Sequence, residues 1–319
     1  MGNTLGFVES PAQLLNAVEW AAATGIDADL VVLGPGDPVT RFQLHRLTDL
    51  VRRDGFVVRW AEVRGKGPGA GSALARCVRA VRAADTIVLG DPYAAFAHLL
   101  LTAAGRHLRL VVVDDGTATL RFAEQWASGA ELRRWHVARR SRAHRAVGRR
   151  AERLLGRRSD RVELFSAMPL DTDLPVTPNT YAWVRDRFGP PQTLDGTDLM
   201  GTSLVETGVV AGAAYLRGIE RLATRRAVAR YLPHRHESPE KLATIERLGV
   251  RIVRPDLPME VYARRGPVGR SILSFPSTVL HTLPLVLADT AVTIEPLTVE
   301  DDWFAADARG EERAFVHGI

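Results

Sequence analysis

Short apolar runs alternate with amphipathic segments along the first half of the chain. The runs are rich in valine, leucine and isoleucine, and the segments between them carry apolar residues at helical spacing. This alternation predicts βαβ units and a parallel sheet that is covered on both faces. The predicted strands are Thr4–Val8, Leu30–Leu33, Phe56–Trp60, Thr86–Leu89 and Leu108–Val113, and the predicted helices are Pro11–Thr24, Arg41–Arg53, Ser72–Ala83 and Tyr93–Ala103.

A second series of the same kind follows a proline-rich passage. We therefore predict an α/β protein with two Rossmann-like domains facing a cleft, residues 1–165 and 196–319, joined by a linker at 166–195. The second domain has predicted strands at Leu199–Gly201, Ala227–Leu232, Arg251–Val253, Ile272–Ser274, Val286–Leu287 and Val292–Ile294, and predicted helices at Gly208–Arg221, Pro239–Leu248 and Trp303–Phe315.

The composition of the 319-residue chain is that of an ordinary globular protein, with 46 % hydrophobic and 25 % charged residues. Its single cysteine, Cys77, excludes an intramolecular disulfide framework and a cysteine-rich zinc site. The N-terminal residues lack the pattern of a signal peptide, and no apolar stretch is long enough to span a bilayer. We therefore expect a soluble, cytoplasmic protein.

The positive charge is concentrated in one segment with a helical pattern, residues 131–161. It contains 12 arginines against three acidic residues, a net charge of +9, whereas the rest of the chain carries −4. Because like charges at helical spacing repel, the segment predicts an anionic partner. This would be a polyanionic glycan acceptor or the inner membrane face, bound peripherally; the alternative is a solvated helix face. Nucleic acid is not expected, because Trp135 is the segment's one aromatic residue and no nucleic-acid motif occurs.

The first candidate for chemistry is the sequence Asp114-Asp115-Gly116, directly after a predicted strand. Ligands of open α/β sheets bind beyond the carboxyl ends of the strands. Two carboxylates there, followed by a glycine that permits a tight turn, predict a general base. The alternative is a turn in which an aspartate caps the following helix.

Histidines follow a predicted strand of the second domain, in the sequence Tyr231-Leu-Pro-His234-Arg-His236-Glu. A histidine at a strand end can bind a phosphate and stabilise a departing nucleotide. Metal binding by His234 and His236 lacks a third convincing ligand, so no metal site is predicted. The alternative is a solvated loop.

Three further polar residues lie in the same domain. Ser277 and Thr278 stand where a predicted strand runs into a helix, and hydroxyls at a helix N-terminus can bind phosphate. Glu260 precedes them along the chain and could accept both hydroxyls of a ribose. The alternatives are ordinary helix caps for the hydroxyls and a solvated glutamate.

This ordered set of motifs resembles the bacterial sialyltransferases and polysialyltransferases of GT-B fold. That family has an acidic pair before a glycine in the first domain, and a His-Pro and a Ser/Thr motif in the second. The sequence Ser10-Pro-Ala-Gln13 near the N-terminus is similar to the family's opening segment. One departure is Arg235, which replaces the proline after the motif histidine.

The resemblance implies an inverting, metal-independent glycosyltransferase without a cofactor. Its donor would be a CMP-activated nonulosonic acid such as sialic acid, and its acceptor a glycan hydroxyl. Asp114 or Asp115 would be the base, and His234 would stabilise the leaving phosphate. By the same resemblance, the donor-binding residues would be Ser10, Gln13, Gly116, Glu260, Ser277 and Thr278.

Two alternatives to this assignment stay open. A GT-B enzyme that uses another nucleotide sugar would share the fold. A non-enzymatic protein that binds polyanions or nucleic acid would instead use the basic segment 131–161.

Overall fold

The helix-separated apolar runs form two parallel sheets, one in each half of the chain. The structure is a computed structural model that describes residues 2–65, 68–105, 108–130, 151, 153–156, 160–310, 313 and 316. The chain divides into two compact units, unit 1 (Met1–Trp183) and unit 2 (Val184–Ile319). The division falls inside the stretch 166–195 that we predicted as a linker.

Unit 1 contains a seven-stranded parallel sheet with the order β3-β2-β1-β4-β5-β6-β7. Its chain order reverses between β1 and β4, which is where ligands bind in open parallel sheets. Its strands are β1 Thr4–Val8, β2 Ala28–Leu33, β3 Val57–Ala61, β4 Thr86–Leu89, β5 Arg109–Val113, β6 Val162–Ser166 and β7 Val176–Pro178, and its helices are α1 Pro11–Thr24, α2 Pro38–Arg53, α3 Pro68–Ala83, α4 Ala95–Leu101 and α5 Thr117–Ser128.

Local sequence signals explain how the first helices begin. Ser10 caps α1 by accepting a hydrogen bond from the backbone of Gln13, and proline follows the cap at the position it favours. Helix α2 begins three residues before its predicted start, because Asp37 caps it and Pro38 opens it. The capping residues, rather than the apolar periodicity, therefore set where these helices start.

Unit 2 contains a five-stranded parallel sheet with the order β10-β9-β8-β11-β12. Strand β8 lies in its centre, between β9 and β11. The strands are β8 Thr193–Met200, β9 Val228–Leu232, β10 Arg251–Ile252, β11 Val268–Ser274 and β12 Thr293–Pro296, and the helices are α6 Ala182–Phe188, which begins in unit 1, α7 Gly212–Arg225, α8 Pro239–Arg247, α9 Met259–Arg265 and α10 Val279–Val286.

Several elements differ from the prediction. The predicted helix Trp303–Phe315 is wrong over its first half, because residues 304–309 are not helical. The predicted strand Val286–Leu287 is wrong, because Val286 is the last residue of α10, a helix that keeps Pro284 in its interior. Helix α9 was not predicted, since its seven residues are too few for an apolar periodicity to show. Strands β6 and β7 extend the first sheet beyond the five predicted strands.

The basic segment 131–161 lies mostly outside the described residues. Of its described residues, Ala151 and Leu155 are fully buried in the core of unit 1. The predicted anionic partner of this segment stays a prediction. Among the described residues, no helix combines the length and the apolar character needed to cross a membrane.

Candidate functional site

Asp114 and Asp115 follow β5 at the carboxyl edge of the first sheet, and the structure separates their roles. Asp114 is buried, and its carboxylate accepts hydrogen bonds from the Ser166 hydroxyl (2.5 Å) and the Ala167 amide (2.7 Å). Its backbone carbonyl accepts a third from the Asn16 side chain (2.9 Å). Asp114 therefore connects the ends of β5 and β6 to helix α1.

Asp115 is only partly buried. Its amide donates to the Thr119 hydroxyl (2.8 Å), and its carboxylate receives a long hydrogen bond from the Ser10 hydroxyl (3.5 Å). The next residue, Gly116, has φ 63° and ψ −130°, a conformation that glycine adopts without strain, and α5 starts directly after it. Of the adjacent pair, Asp115 is thus the carboxylate that a ligand at this edge can reach.

Three polar residues of α1 form a buried stripe that the sequence analysis did not recognise. Gln13, Asn16 and Glu19 are spaced by three residues and are each at most 3 % exposed. Gln13 accepts from the Glu9 amide (2.7 Å), Asn16 from the Tyr181 hydroxyl (3.0 Å), and Glu19 from the Trp183 amide (3.0 Å). Their helical spacing among apolar neighbours is the signal that could have revealed them. Gln13 therefore shapes the turn after β1.

In unit 2, the first group of candidate residues lies in the His234 loop, residues 233–237, which follows β9. The Glu237 amide donates to the His234 carbonyl (3.0 Å), and the His234 amide donates back to the Glu237 carboxylate (2.6 Å). The same carboxylate also accepts from the Tyr231 hydroxyl (2.7 Å) and from the Lys241 ammonium (3.1 Å). Buried polar groups therefore hold the loop in place through the Glu237 carboxylate.

His234 is half-buried, whereas His236 is exposed. Burial lowers the pKa of His234 to about 4, and the charges of Arg235 and His236 act in the same direction. The His234 ring is therefore neutral at neutral pH and can serve as a hydrogen-bond donor to phosphate. Among the described residues, no group of three or more His, Cys, Asp or Glu side chains is arranged to hold a metal ion.

Ser277 and Thr278 lie between β11 and α10. The Ser277 hydroxyl is 3.2 Å from the hydroxyl of Ser274, and Thr278 makes no side-chain capping bond to α10. The amides of Leu280 and His281 donate to the carbonyls of Ser277 and Thr278, so they are not free for a ligand. What this turn offers a phosphate is its pair of hydroxyls and the positive end of the helix dipole.

Glu260 lies in the first turn of α9. One of its carboxylate oxygens accepts from the Thr282 hydroxyl of α10 (2.7 Å), and burial raises its pKa. The backbone amide of Glu260 also interacts with this carboxylate. Glu260 therefore joins α9 to α10.

The order of the second sheet brings the His234 loop and the Ser277-Thr278 turn to one edge. They follow β9 and β11, which flank β8, and two strand spacings of about 4.8 Å separate their ends by about 10 Å. In unit 1, Asp115 and Ser10 meet in the same way at the ends of β5 and β1. The structure thus collects the predicted residues at the carboxyl edge of the sheet in each unit.

Two units of this kind, each with an all-parallel sheet of Rossmann type, define a GT-B-like fold. A candidate UDP-N-acetylglucosamine 2-epimerase from Listeria monocytogenes is similar to this chain over 89 % of its residues and 77 % of its own, with 11 % identity and a TM-score of 0.52. A UDP-N-acetylglucosamine 2-epimerase from Rickettsia bellii is similar over 100 % and 88 %, with 13 % identity and a TM-score of 0.47. A glycosyltransferase from Rickettsia africae is similar over 89 % and 77 %, with 9 % identity and a TM-score of 0.44. No protein-family model and no curated protein matches the chain.

The predicted membership of the sialyltransferase group is wrong, and so is the CMP-activated donor that it implied. Solved structures that match include UDP-N-acetylglucosamine 2-epimerases, among them one that is a complex with UDP-N-acetylglucosamine, and no sialyltransferase matches among family models or curated proteins. The motifs misled because functional residues of many unrelated α/β proteins lie at strand ends, so that short polar motifs there indicate the fold and not the donor.

Proposed function

We propose that this protein is a GT-B-fold enzyme whose substrate is a nucleotide sugar, with a UDP-linked hexose as the first candidate. The observation that carries the proposal is the carboxyl edge of the second sheet. There the His234 loop follows β9 and the hydroxyls of Ser277 and Thr278 follow β11, about 10 Å away, a separation that a nucleoside diphosphate can bridge. The fold likeness to the Listeria protein, named as a candidate UDP-sugar enzyme, supports the choice of UDP.

In this proposal unit 2 binds the nucleotide. His234 donates a hydrogen bond to a phosphate oxygen, and the hydroxyls of Ser277 and Thr278 bind the other oxygens. Glu260, whose carboxylate also accepts from Thr282, accepts from the ribose hydroxyls. These groups stabilise the negative charge that collects on the diphosphate when its bond to the sugar breaks.

In unit 1, Asp115 is the proposed proton acceptor and Asp114 holds it in position. In a glycosyl transfer, Asp115 takes the proton of the acceptor hydroxyl while that oxygen bonds to the anomeric carbon and UDP leaves with the electron pair. Ser10 and Gly116 shape the turn around the base, and Gln13 fixes the strand–helix junction beneath Ser10.

A second candidate reaction is the epimerisation of a UDP-sugar, which the name of the Listeria protein favours. Both reactions start from the same substrate and use a carboxylate as base. They differ in whether a second molecule is consumed. Incubation with UDP-N-acetylglucosamine, followed by NMR of the sugar, separates them: a new epimer without any acceptor indicates epimerisation, whereas release of UDP only when a glycan acceptor is added indicates transfer.

A thermal-shift panel of UDP, CDP, CMP and GDP tests the proposal. We expect UDP to raise the melting temperature most, because UDP is the proposed nucleotide. A ligand at 100 times its Kd stabilises a protein by about 2.7 kcal/mol, which is large enough to measure. His234→Ala should remove this shift, whereas His236→Ala, at an exposed neighbour in the same loop, should keep it. The proposal is wrong if no nucleotide raises the melting temperature.

A further inference from the structure

A buried group of charged and polar side chains lies beneath the His234 loop and is not used by the proposed chemistry. We call it the Glu237 cluster; its members are Thr202, Glu206, Tyr215, Tyr231, Glu237 and Lys241. Charged side chains are rarely buried unless they are paired, because leaving water is costly. The Glu237 side chain is nevertheless completely buried, and that of Lys241 is only 5 % exposed.

Every donor of the Lys241 ammonium is used inside the cluster. It donates to the Thr202 carbonyl (2.9 Å), to the Glu206 carboxylate (2.9 Å) and to the Glu237 carboxylate (3.1 Å). The hydroxyls of Tyr215 and Tyr231 lie 2.7 Å apart and continue the chain of hydrogen bonds to Glu237. Residues from β9, from helices α7 and α8 and from the loop after β8 therefore converge on one carboxylate.

The Glu237 carboxylate binds the backbone of His234 and so sets the position of its ring. It accepts the His234 amide, and the turn it closes brings the His236 amide to within 3.3 Å of Nδ1 of the His234 ring. A ring nitrogen that accepts an N–H carries no proton, so the proton of the neutral ring lies on Nε2. Four charged groups act on the pKa of this ring: Arg235, His236 and Lys241 lower it together with burial, and Glu206 raises it, so that the ring stays neutral.

We propose that Glu237, anchored by Lys241, is a positioning residue that holds His234 as the Nε2–H tautomer, whose proton is donated to a phosphate oxygen of the bound nucleotide. The part of this inference that concerns the nucleotide rests on the proposed function. The part that concerns the tautomer of the His234 ring does not. Glu237 acts through the turn and does not itself touch the substrate.

The test compares Glu237→Gln with Glu240→Gln, which removes an exposed carboxylate from the first turn of α8. A glutamine cannot satisfy the His234 amide, the tyrosine hydroxyl and the ammonium together, because one of its two acceptors becomes a donor. In the ligand-free wild type, nitrogen-15 NMR should show the His234 proton on Nε2 alone. In Glu237→Gln we expect both tautomers and a roughly 10-fold weaker affinity for UDP, whereas Glu240→Gln should match the wild type.

The outcomes separate this inference from the proposed function. A wild-type proton on Nδ1, or a Glu237→Gln variant with unchanged tautomer and UDP affinity, would overturn the positioning role. Tautomer mixing in Glu237→Gln, in a protein that binds no nucleotide, would support the positioning role and reject the proposed function. If Glu237→Gln does not fold, Tyr231→Phe replaces it and removes one of the hydrogen bonds to Glu237. A second tautomer in that variant supports the inference, and an unchanged ring overturns it.

Discussion

We expect asparagine at Asp114 to lower the stability of the protein and asparagine at Asp115 to lower its activity. Asp114→Asn replaces one of the two carboxylate oxygens, which accept from Ser166 and Ala167, with an amide donor. If the new NH2 group faces the Ala167 amide, two donors meet. If it faces Ser166, the serine proton loses its acceptor. Because hydrogen bonds to a buried charged group are worth about 1.5–3 kcal/mol, we expect unfolding to become easier by about 2 kcal/mol.

The same change at Asp115 should act on the reaction. Asp115 is partly exposed, and the hydrogen bond from Ser10 to its carboxylate is long at 3.5 Å, so we expect the change in stability to be smaller than for Asp114→Asn. A missing general base lowers turnover by roughly 10²–10⁴-fold, while UDP binding should persist because the nucleotide groups lie in unit 2.

Thermal unfolding and UDP-sugar consumption, measured on the same preparations, check the predicted stability of Asp114→Asn and the predicted turnover of Asp115→Asn. For a unit of this size, 2 kcal/mol corresponds to a fall in melting temperature of about 4–8 °C for Asp114→Asn. Asp115→Asn should melt near the wild type and be almost inactive. Normal turnover in Asp115→Asn would refute the assignment of the base, and wild-type stability in Asp114→Asn would refute its structural role.

Three further changes probe unit 2. Gly201→Ala should weaken UDP binding, because the new methyl group would overlap the Glu237 carboxylate; calorimetry checks this. Gly218→Ala should cost roughly 1–3 kcal/mol in urea unfolding, because the methyl group meets the rigid indole ring of Trp303. Burial raises the pKa of Glu260, so the wild type loses stability as pH rises through that pKa, and Glu260→Gln should gain in melting temperature over wild type between pH 4.5 and 7.

The alternation of apolar runs and amphipathic segments was sufficient to predict most of the fold. Strand β1 and helix α1 have their predicted bounds, because a strand covered on both faces and a helix with Ser10 and Pro11 at its start leave little choice. The pattern could not predict β7, whose three residues are all exposed and carry no apolar signal. Nor could it separate the last residues of α10 from a strand, because a short apolar run fits either.

The candidate site was predictable in its residue types and not in their roles. In the sequence, Asp114 and Asp115 both follow a strand and look alike. Only the hydrogen bonds from Ser166 and Ala167 show that the Asp114 carboxylate has a structural role. Lys241 carried no signal, because a lysine in the first turn of a helix is an ordinary surface residue until its neighbours bury it. Such contacts join residues up to 53 positions apart, and local periodicity cannot report them.

The failed family resemblance has a physical origin in the same architecture. Each parallel strand ends at one edge, where helix N-termini and free backbone groups favour short polar side chains, carboxylates and histidine. An acidic pair, a histidine and a hydroxyl pair at strand ends therefore do not by themselves identify a family. What distinguishes one donor from another is the set of groups that face the base and the sugar, and these come from loops with no periodic signal. For this chain, the pair Glu237–Lys241 is a more specific feature than the motifs, because a buried ion pair beneath the His234 loop is not required by the fold.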